Sequence, residues 1–235
     1  MAKNAPPQLG EKLDYLPPGV RPDGRMLYGT SVTLQKLDMQ VHGEGLWQAY
    51  SADKAGAIWD YLPYGPFANQ AELVSGYEKL SAGNDPFFYA IIAKSSGRVE
   101  GVASYLNIVP VHGSIEIGHI NLAPSLQKTR AATEALFVMM RHAMDDLGNR
   151  RLEWKCNALN AGSRRAAERF GFTFEGVFRQ HFIAKGRNRD SAWFSIIDKE
   201  WPPLREAYLT WLKDENFDAR GKQKIPLSKL TQKAR

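Results

Sequence analysis

The order of elements predicts a single α/β (α+β) domain around one mixed sheet. Three observations carry that reading. Segments 87–93, 99–109 and 114–122 are apolar, strand-like and joined by short connections, Ser95-Ser96-Gly97 among them, which makes an antiparallel meander. A long helical stripe follows at 131–147, then a strand at 151–156 and a helix at 160–170. Segments 172–184 and 189–197 then form a hairpin across Lys185-Gly186-Arg187-Asn188.

Each element has its own local signature. Residues 1–28 hold five of the 13 prolines (Pro6, Pro7, Pro17, Pro18, Pro22), a density that suits an extended arm laid over the domain. Val32, Leu34 and Leu37 mark a first strand at 30–37. Residues 44–60 read as one or two short helices interrupted near Ser51, followed by an aromatic turn from Trp59 to Phe67. Leu73, Tyr77 and Leu80 recur at helical spacing within 69–81, and Asp85-Pro86 ends that helix. In the long helix, Ala132, Ala135, Leu136, Met139, Met140, Ala143 and Leu147 form one stripe, with Gly148 just past its end. Leu152, Trp154 and Cys156 alternate as a strand does, so Cys156 is expected to be buried packing. Gly171 stops the helix at 160–170, and Pro202 opens a last helix at 202–213.

Composition narrows the function classes. With 43% hydrophobic and 24% charged residues in 235, the chain is globular and long enough for a large core. Its single cysteine excludes an intrachain disulfide and a CxxC clip, and five scattered histidines give no zinc spacing, so no metal is expected. No apolar run approaches about 18 residues, and the first 16 residues carry no signal core, so the expectation is a cytoplasmic protein with no membrane span. The net charge of +6 has one source: residues 220–235 hold six basic residues and no acid, and the rest of the chain balances. The resulting domain plan is an arm at 1–28, a catalytic-type domain at 29–215 and a basic tail at 216–235. Such a tail is either a solvated extension or a weak contact for nucleic acid or the ribosome.

Three features point to chemistry. Glu116 is a lone acid in an apolar strand, a candidate for a raised pKa and proton transfer or else a structural carboxylate. His119, three residues on, should face the other side of a regular strand. Next, the polar loop 123–129 leads into the long helix, whose N-terminal N–H groups and dipole suit a phosphate. Finally, Asn160 and Ser163 open a helix directly after a strand; Asn is also a favoured N-cap with no further role.

In order and spacing these motifs resemble the GNAT acyl-CoA N-acyltransferase superfamily, and more closely its RimJ/RimL branch. The likeness spans residues 29–200 and rests on Glu116-Ile117-Gly118, the segment 122–136 and the segment 160–172. It implies a mostly antiparallel sheet of six to seven strands with helices on both faces, opened by a splayed strand that admits acetyl-CoA. Strand amides near Ile120 and Leu122 would hold the pantetheine arm. The pyrophosphate loop would be Gln127, Lys128, Thr129, Arg130, Ala131 and Ala132, with Arg130 in place of the family's central glycine, where positive φ is expected. The helix motif matches at Asn160, Ser163, Gly171 and Phe172, but Ala167 stands where many members carry a general-acid tyrosine, so Ser163 becomes the candidate partner of the CoA thiolate. Glu116 would be the general base. Trp59, Tyr61 and Tyr64 would wall the amine slot, with Asp60 attracting its cation, or else be plain core.

The implied activity is acetyl transfer from acetyl-CoA to a primary amine by direct attack, with a protein or peptide N-terminus as the leading acceptor and a monomer or homodimer as the assembly. A small amine such as an antibiotic or polyamine is the alternative acceptor. A non-catalytic CoA-binding or ribosome-associated module is the alternative class.

Overall fold

The computed structural model describes residues 9–15, 17 and 19–234. The sheet has eight strands in the order β1-β2-β3-β4-β5-β6-β8-β7. They are β1 (Leu27–Tyr28), β2 (Val32–Lys36), β3 (Phe87–Ala93), β4 (Arg98–Val109), β5 (Ser114–Leu122), β6 (Arg151–Asn157), β7 (Thr173–Ala184) and β8 (Arg187–Ile197). Every pairing is antiparallel except β5 with β6. The eighth strand is β1, which lies inside the expected arm and pairs through only two residues, too few to show an alternation in sequence. Before it, the Arg21 guanidinium donates to the Ile108 carbonyl at 3.1 Å, which ties the arm to the end of β4.

Helices cover both faces. On one lie α1 (Met39–Tyr50) and α2 (Gln70–Leu80), which pack Leu46, Tyr50, Leu73 and Tyr77 against Phe88, Ala90 and Val102. The first of these begins five residues earlier than its apolar pattern suggests. Asp38 caps it by accepting from the Gln40 amide, and Gly43 and Gly45 blur the stripe. On the other face lie α3 (Arg130–Arg141), α4 (Ala161–Arg169), α5 (Trp201–Trp211) and α6 (Leu227–Lys233). The long helix continues past Arg141 as a π-helical turn, His142–Asp146. Its burial exceeds one stripe, because α5 covers its outer side: Phe137 stacks on Tyr208 with ring centroids 4.8 Å apart, and on Trp201 at 6.2 Å.

Residues 216–234 are packed, not trailing. Phe217 bridges to Gln223, and α6 lies on α4 and α5 with Leu227 fully buried and Thr231 nearly so. The apolar residues of the basic segment, Leu227 and Leu230, are what fold it back onto the core, while Lys222, Lys224, Lys229 and Lys233 stay exposed. No helix among the described residues is long and apolar enough to cross a membrane.

Candidate active site

Two neighbouring strands part company in the middle of the sheet. The β5–β6 pairing runs only from Ser114–Arg151 to Glu116–Glu153. Beyond it, β5 follows β4 and β6 follows β8. A bulge bends β5 away: two residues lie between Gly118 and Asn121 where one lies between Val102 and Ser104, and His119 adopts φ +48. The opening is a cleft of about 1120 Å³, lined by β5, β6, the starts of α3 and α4, the loop 57–63 and the β7–β8 hairpin. That is just above the range of single-ligand pockets, about 300–1000 Å³.

The bulge also changes which side each residue faces. Ile115 and Ile117 pack on the α3 side, and so do Ile120 and Leu122, although their parity is opposite. His119 therefore does not face away from Glu116. It stacks on Tyr64 at 5.5 Å and meets Phe88 at 5.3 Å, while its Nδ1 lies 3.2 Å from the Tyr64 hydroxyl. Burial holds its pKa down at about 4, so it is neutral at pH 7.

Glu116 is 4% exposed and lines the cleft. Its Oε2 accepts from Asn107 Nδ2 at 2.6 Å and from Lys155 Nζ at 3.0 Å. Burial raises its pKa, and the Lys155 ammonium and the Asn107 bond oppose that rise. Lys155 is shared with Glu153 at 2.8 Å and lies 3.8 Å from the centre of the Trp193 ring. Asn107 is aimed by its own backbone, at φ +47, with the Asp85 carboxylate accepting from the Asn107 and Ile108 amides.

The wall at α3 is built differently. Gln127 Nε2 donates to the Leu122 carbonyl at 2.9 Å and pins the loop to the strand end. Thr129 caps the helix by accepting from the Ala132 amide at 3.0 Å and donates to the Leu126 carbonyl at 2.7 Å. Lys128, not Arg130, takes the positive φ, at +60. The amides of Lys128, Arg130 and Ala131 have no hydrogen-bond partner among the described residues. Arg130's side chain turns away from the cleft. It pairs with Asp214 at 2.8 Å, bonds the Leu212 carbonyl and stacks 4.4 Å over Phe217. Ala131 does not line the cleft either, whereas Gln127, Lys128, Thr129 and Ala132 do.

Across from it, Asn160 accepts from the Ser163 amide at 2.9 Å, the N-cap that its position in the sequence allowed. Ser163 Oγ accepts from the Trp154 indole at 3.0 Å, which leaves its own proton to donate into the cleft. Ala167 is fully buried and offers no acid. Cys156 lines the cleft with its thiol pushed up by burial, the opposite of a nucleophile's environment.

The aromatic turn divides. Trp59 is core, edge-on to Tyr50 and Phe67 at 5.3 Å each, and does not line the cleft. Tyr64 packs behind His119, and Asp60 is exposed away from the cleft. Tyr61 alone of the three aromatics reaches the opening, its hydroxyl 3.3 Å from the Leu159 carbonyl. Lys185 Nζ donates to the Trp59 carbonyl at 2.8 Å, so the loop roofs the cleft from both sides. The sequence reading missed Lys155, His181, Arg189 and Trp193, all of which line it. No alternation marked Arg189, since Asn188 and Asp190 flank it with further polar residues. Among the described residues no cluster of His, Cys, Asp and Glu could hold a metal ion.

Residues 34–173 match the acetyltransferase (GNAT) domain family. A solved GCN5-related N-acetyltransferase from Brucella melitensis is 45% identical, covers 93% of this chain and 99% of its own, and superposes with a TM-score of 0.90. An uncharacterized N-acetyltransferase, p20, from Bacillus licheniformis is 25% identical over 74% of this chain and 97% of its own. The solved ribosomal alpha-N-protein acetyltransferase RimL is 26% identical over 74% of this chain and 94% of its own, with a TM-score of 0.62.

Proposed function

The chain belongs to the GNAT acetyltransferase family, acetyl-CoA-dependent N-acyltransferases, and from that premise we propose that it acetylates a primary amine at a peptide or protein N-terminus. The observation that carries this is the split between β5 and β6, with unpaired main-chain amides on one wall and a buried carboxylate on the other. The N-terminus is favoured because the RimL neighbour acts on one.

The residues fit the cofactor. The open amides of Lys128, Arg130 and Ala131 at the positive end of a 12-residue helix are donors for a pyrophosphate. Ile120 and Leu122 flank the pantetheine path, and the Asn160 cap orders the turn that carries Ser163. When bound, acetyl-CoA supplies an activated thioester carbonyl. The acceptor amine attacks its carbon, the C–N bond forms and the C–S bond breaks. Glu116 takes the proton that the amine loses, and Ser163 donates a hydrogen bond to the departing sulfur, which is protonated from solvent. Lys155 and Asn107 favour the ionised form of Glu116 against the burial that raises its pKa, and the roof at 57–63 limits water.

The test is acetyl-CoA calorimetry on the full chain, followed by mass spectrometry of peptide N-termini. Wild type binds and acetylates. Glu116→Gln keeps the Kd for acetyl-CoA and loses about 10²–10⁴ in kcat. Full activity in the variant removes Glu116 as the base, and failure to bind acetyl-CoA removes the reading.

A further inference from the structure

The hairpin wall of the cleft carries an unusual concentration of unsatisfied polar atoms. Arg189 Nε, His181 Nδ1, Trp193 Nε1 and Ser191 Oγ are all buried without a hydrogen-bond partner among the described residues. Native proteins leave only a few such atoms per hundred residues, and these four lie on one hairpin. Arg189, Ser191 and Trp193 alternate along β8, and Lys155 pairs with Trp193 in register and lies over its ring, so they share the face that bears Glu116. His181 joins them through a bulge: three residues of β7, from 179 to 181, oppose Asp190 alone, with Gln180 at φ +51. It stacks on Trp193 at 5.8 Å and on Phe182 at 3.9 Å.

Charge decides what this wall receives. Lys155 is neutralised by Glu116 and Glu153. Asp190, the nearest acid in sequence, is engaged by the Gln180 amide at 2.7 Å and by Asn188 at 2.9 Å. Arg189 makes no ion pair among the described residues; its guanidinium lies 5.6 Å from the Phe182 ring, half-buried in the cleft lining. Burial lowers the pKa of His181 on this wall, with the Lys155 and Arg189 cations adding to it, and holds that of His119 on β5 at about 4. A half-buried guanidinium near an aromatic ring, with no carboxylate paired to it among the described residues, is the group suited to grip a carboxylate through two parallel bonds.

We infer that the acceptor amine carries a carboxylate, which Arg189 receives together with the indole N–H of Trp193 and the His181 ring while the amine lies at Glu116. This rests on the acetyl-transfer reading and names its substrate class. The Arg189 guanidinium, which makes no ion pair among the described residues, disfavours a polycationic acceptor such as a polyamine. The carboxylate has two sources, the α-carboxylate of a free amino acid or an acidic side chain just after a peptide's N-terminus.

Matched probes separate them. One set pairs free amino acids with their α-amides; the other pairs N-terminal tetrapeptides bearing Asp at the second or third position with the same peptides bearing Asn. Acetylation with acetyl-CoA is followed by kcat/KM, and binding of the N-acetylated products is followed by calorimetry. The carboxylate members are expected to win by about tenfold to a hundredfold, the worth of one charge-assisted contact. In Arg189→Gln the acid-to-amide ratio falls toward one, and Arg189→Lys restores part of it. A preference in the first set assigns a free amino acid, and a preference in the second assigns an acidic peptide. Equal behaviour of acid and amide in wild type, or an unchanged ratio in Arg189→Gln, overturns the inference. Carboxylate-selective binding by a protein that transfers no acetyl group would instead retain it and overturn the enzymatic reading.

Discussion

Along the α3 wall of the cleft the open polar groups are main-chain amides, whereas along the β8 wall they are side chains. At α3 the charged residue, Arg130, is withdrawn to Asp214, Leu212 and Phe217, and Gln127 and Thr129 spend their polar atoms on holding the loop. On the side toward β8 the charges of Glu116 on β5, Lys155 on β6 and Arg189 on β8 face inward. A wall of amides is tolerant of side-chain identity and recognises a constant ligand, as every acyl-CoA is. Side chains, by contrast, confer selectivity for a variable one.

The largest effect is expected on the side-chain wall. Lys155→Met leaves Glu116 buried without its cation, while Glu153 keeps Arg151, and costs about 3–5 kcal/mol of stability. The same loss disfavours the carboxylate form of Glu116 and raises its pKa further. Activity that needs ionised Glu116 then appears only at higher pH, so the acid limb of kcat/KM moves up. An acid limb that stays in place in a folded Lys155→Met protein would show that Lys155 does not tune Glu116, whereas Lys155→Arg, which keeps the charge, is expected to leave the limb near its wild-type position.

A smaller effect is expected at α3. Thr129→Ala removes the cap and costs about 1 kcal/mol, read as a lower Tm. Misaligned amides weaken acetyl-CoA binding by up to about fivefold. An unchanged Kd would mean that the loop amides do not hold the phosphates. The smallest effect belongs to Arg130→Ala. Its Kd for acetyl-CoA stays within about twofold of wild type, and the lost stacking on Phe217 costs about 0.5–1 kcal/mol. A tenfold loss of cofactor affinity would place the guanidinium at the phosphates after all and erase the contrast between the walls.

Much of the framework around the cleft was legible one residue at a time. Strand alternation in 151–156, the Asn160 cap, the stop at Gly171 and the lone acid at Glu116 are rules of short range, acting over two to four residues. The aromatic turn was not legible, because Trp59 and Tyr64 would look alike in a core or at a slot. What separates them from Tyr61 is that Tyr50, Phe67 and His119 pack around them. The facing of His119 was hidden for a different reason: the extra residue in β5 is defined only against β4.

By itself the sequence determined the class of fold, the order of the strands and helices other than the two-residue β1 and the final α6, the Asn160 cap and the family, since each follows from local hydrogen bonding, periodicity and motif spacing. The tertiary structure alone decided where Arg130 points, which face His119 occupies, that the basic segment folds back, and that Arg189, Trp193 and His181 meet Glu116 in one cleft. The partners that fix Arg130 lie 82 and 84 residues away. At such separations the outcome depends on which surfaces are buried together, and no local rule of chain geometry carries that information.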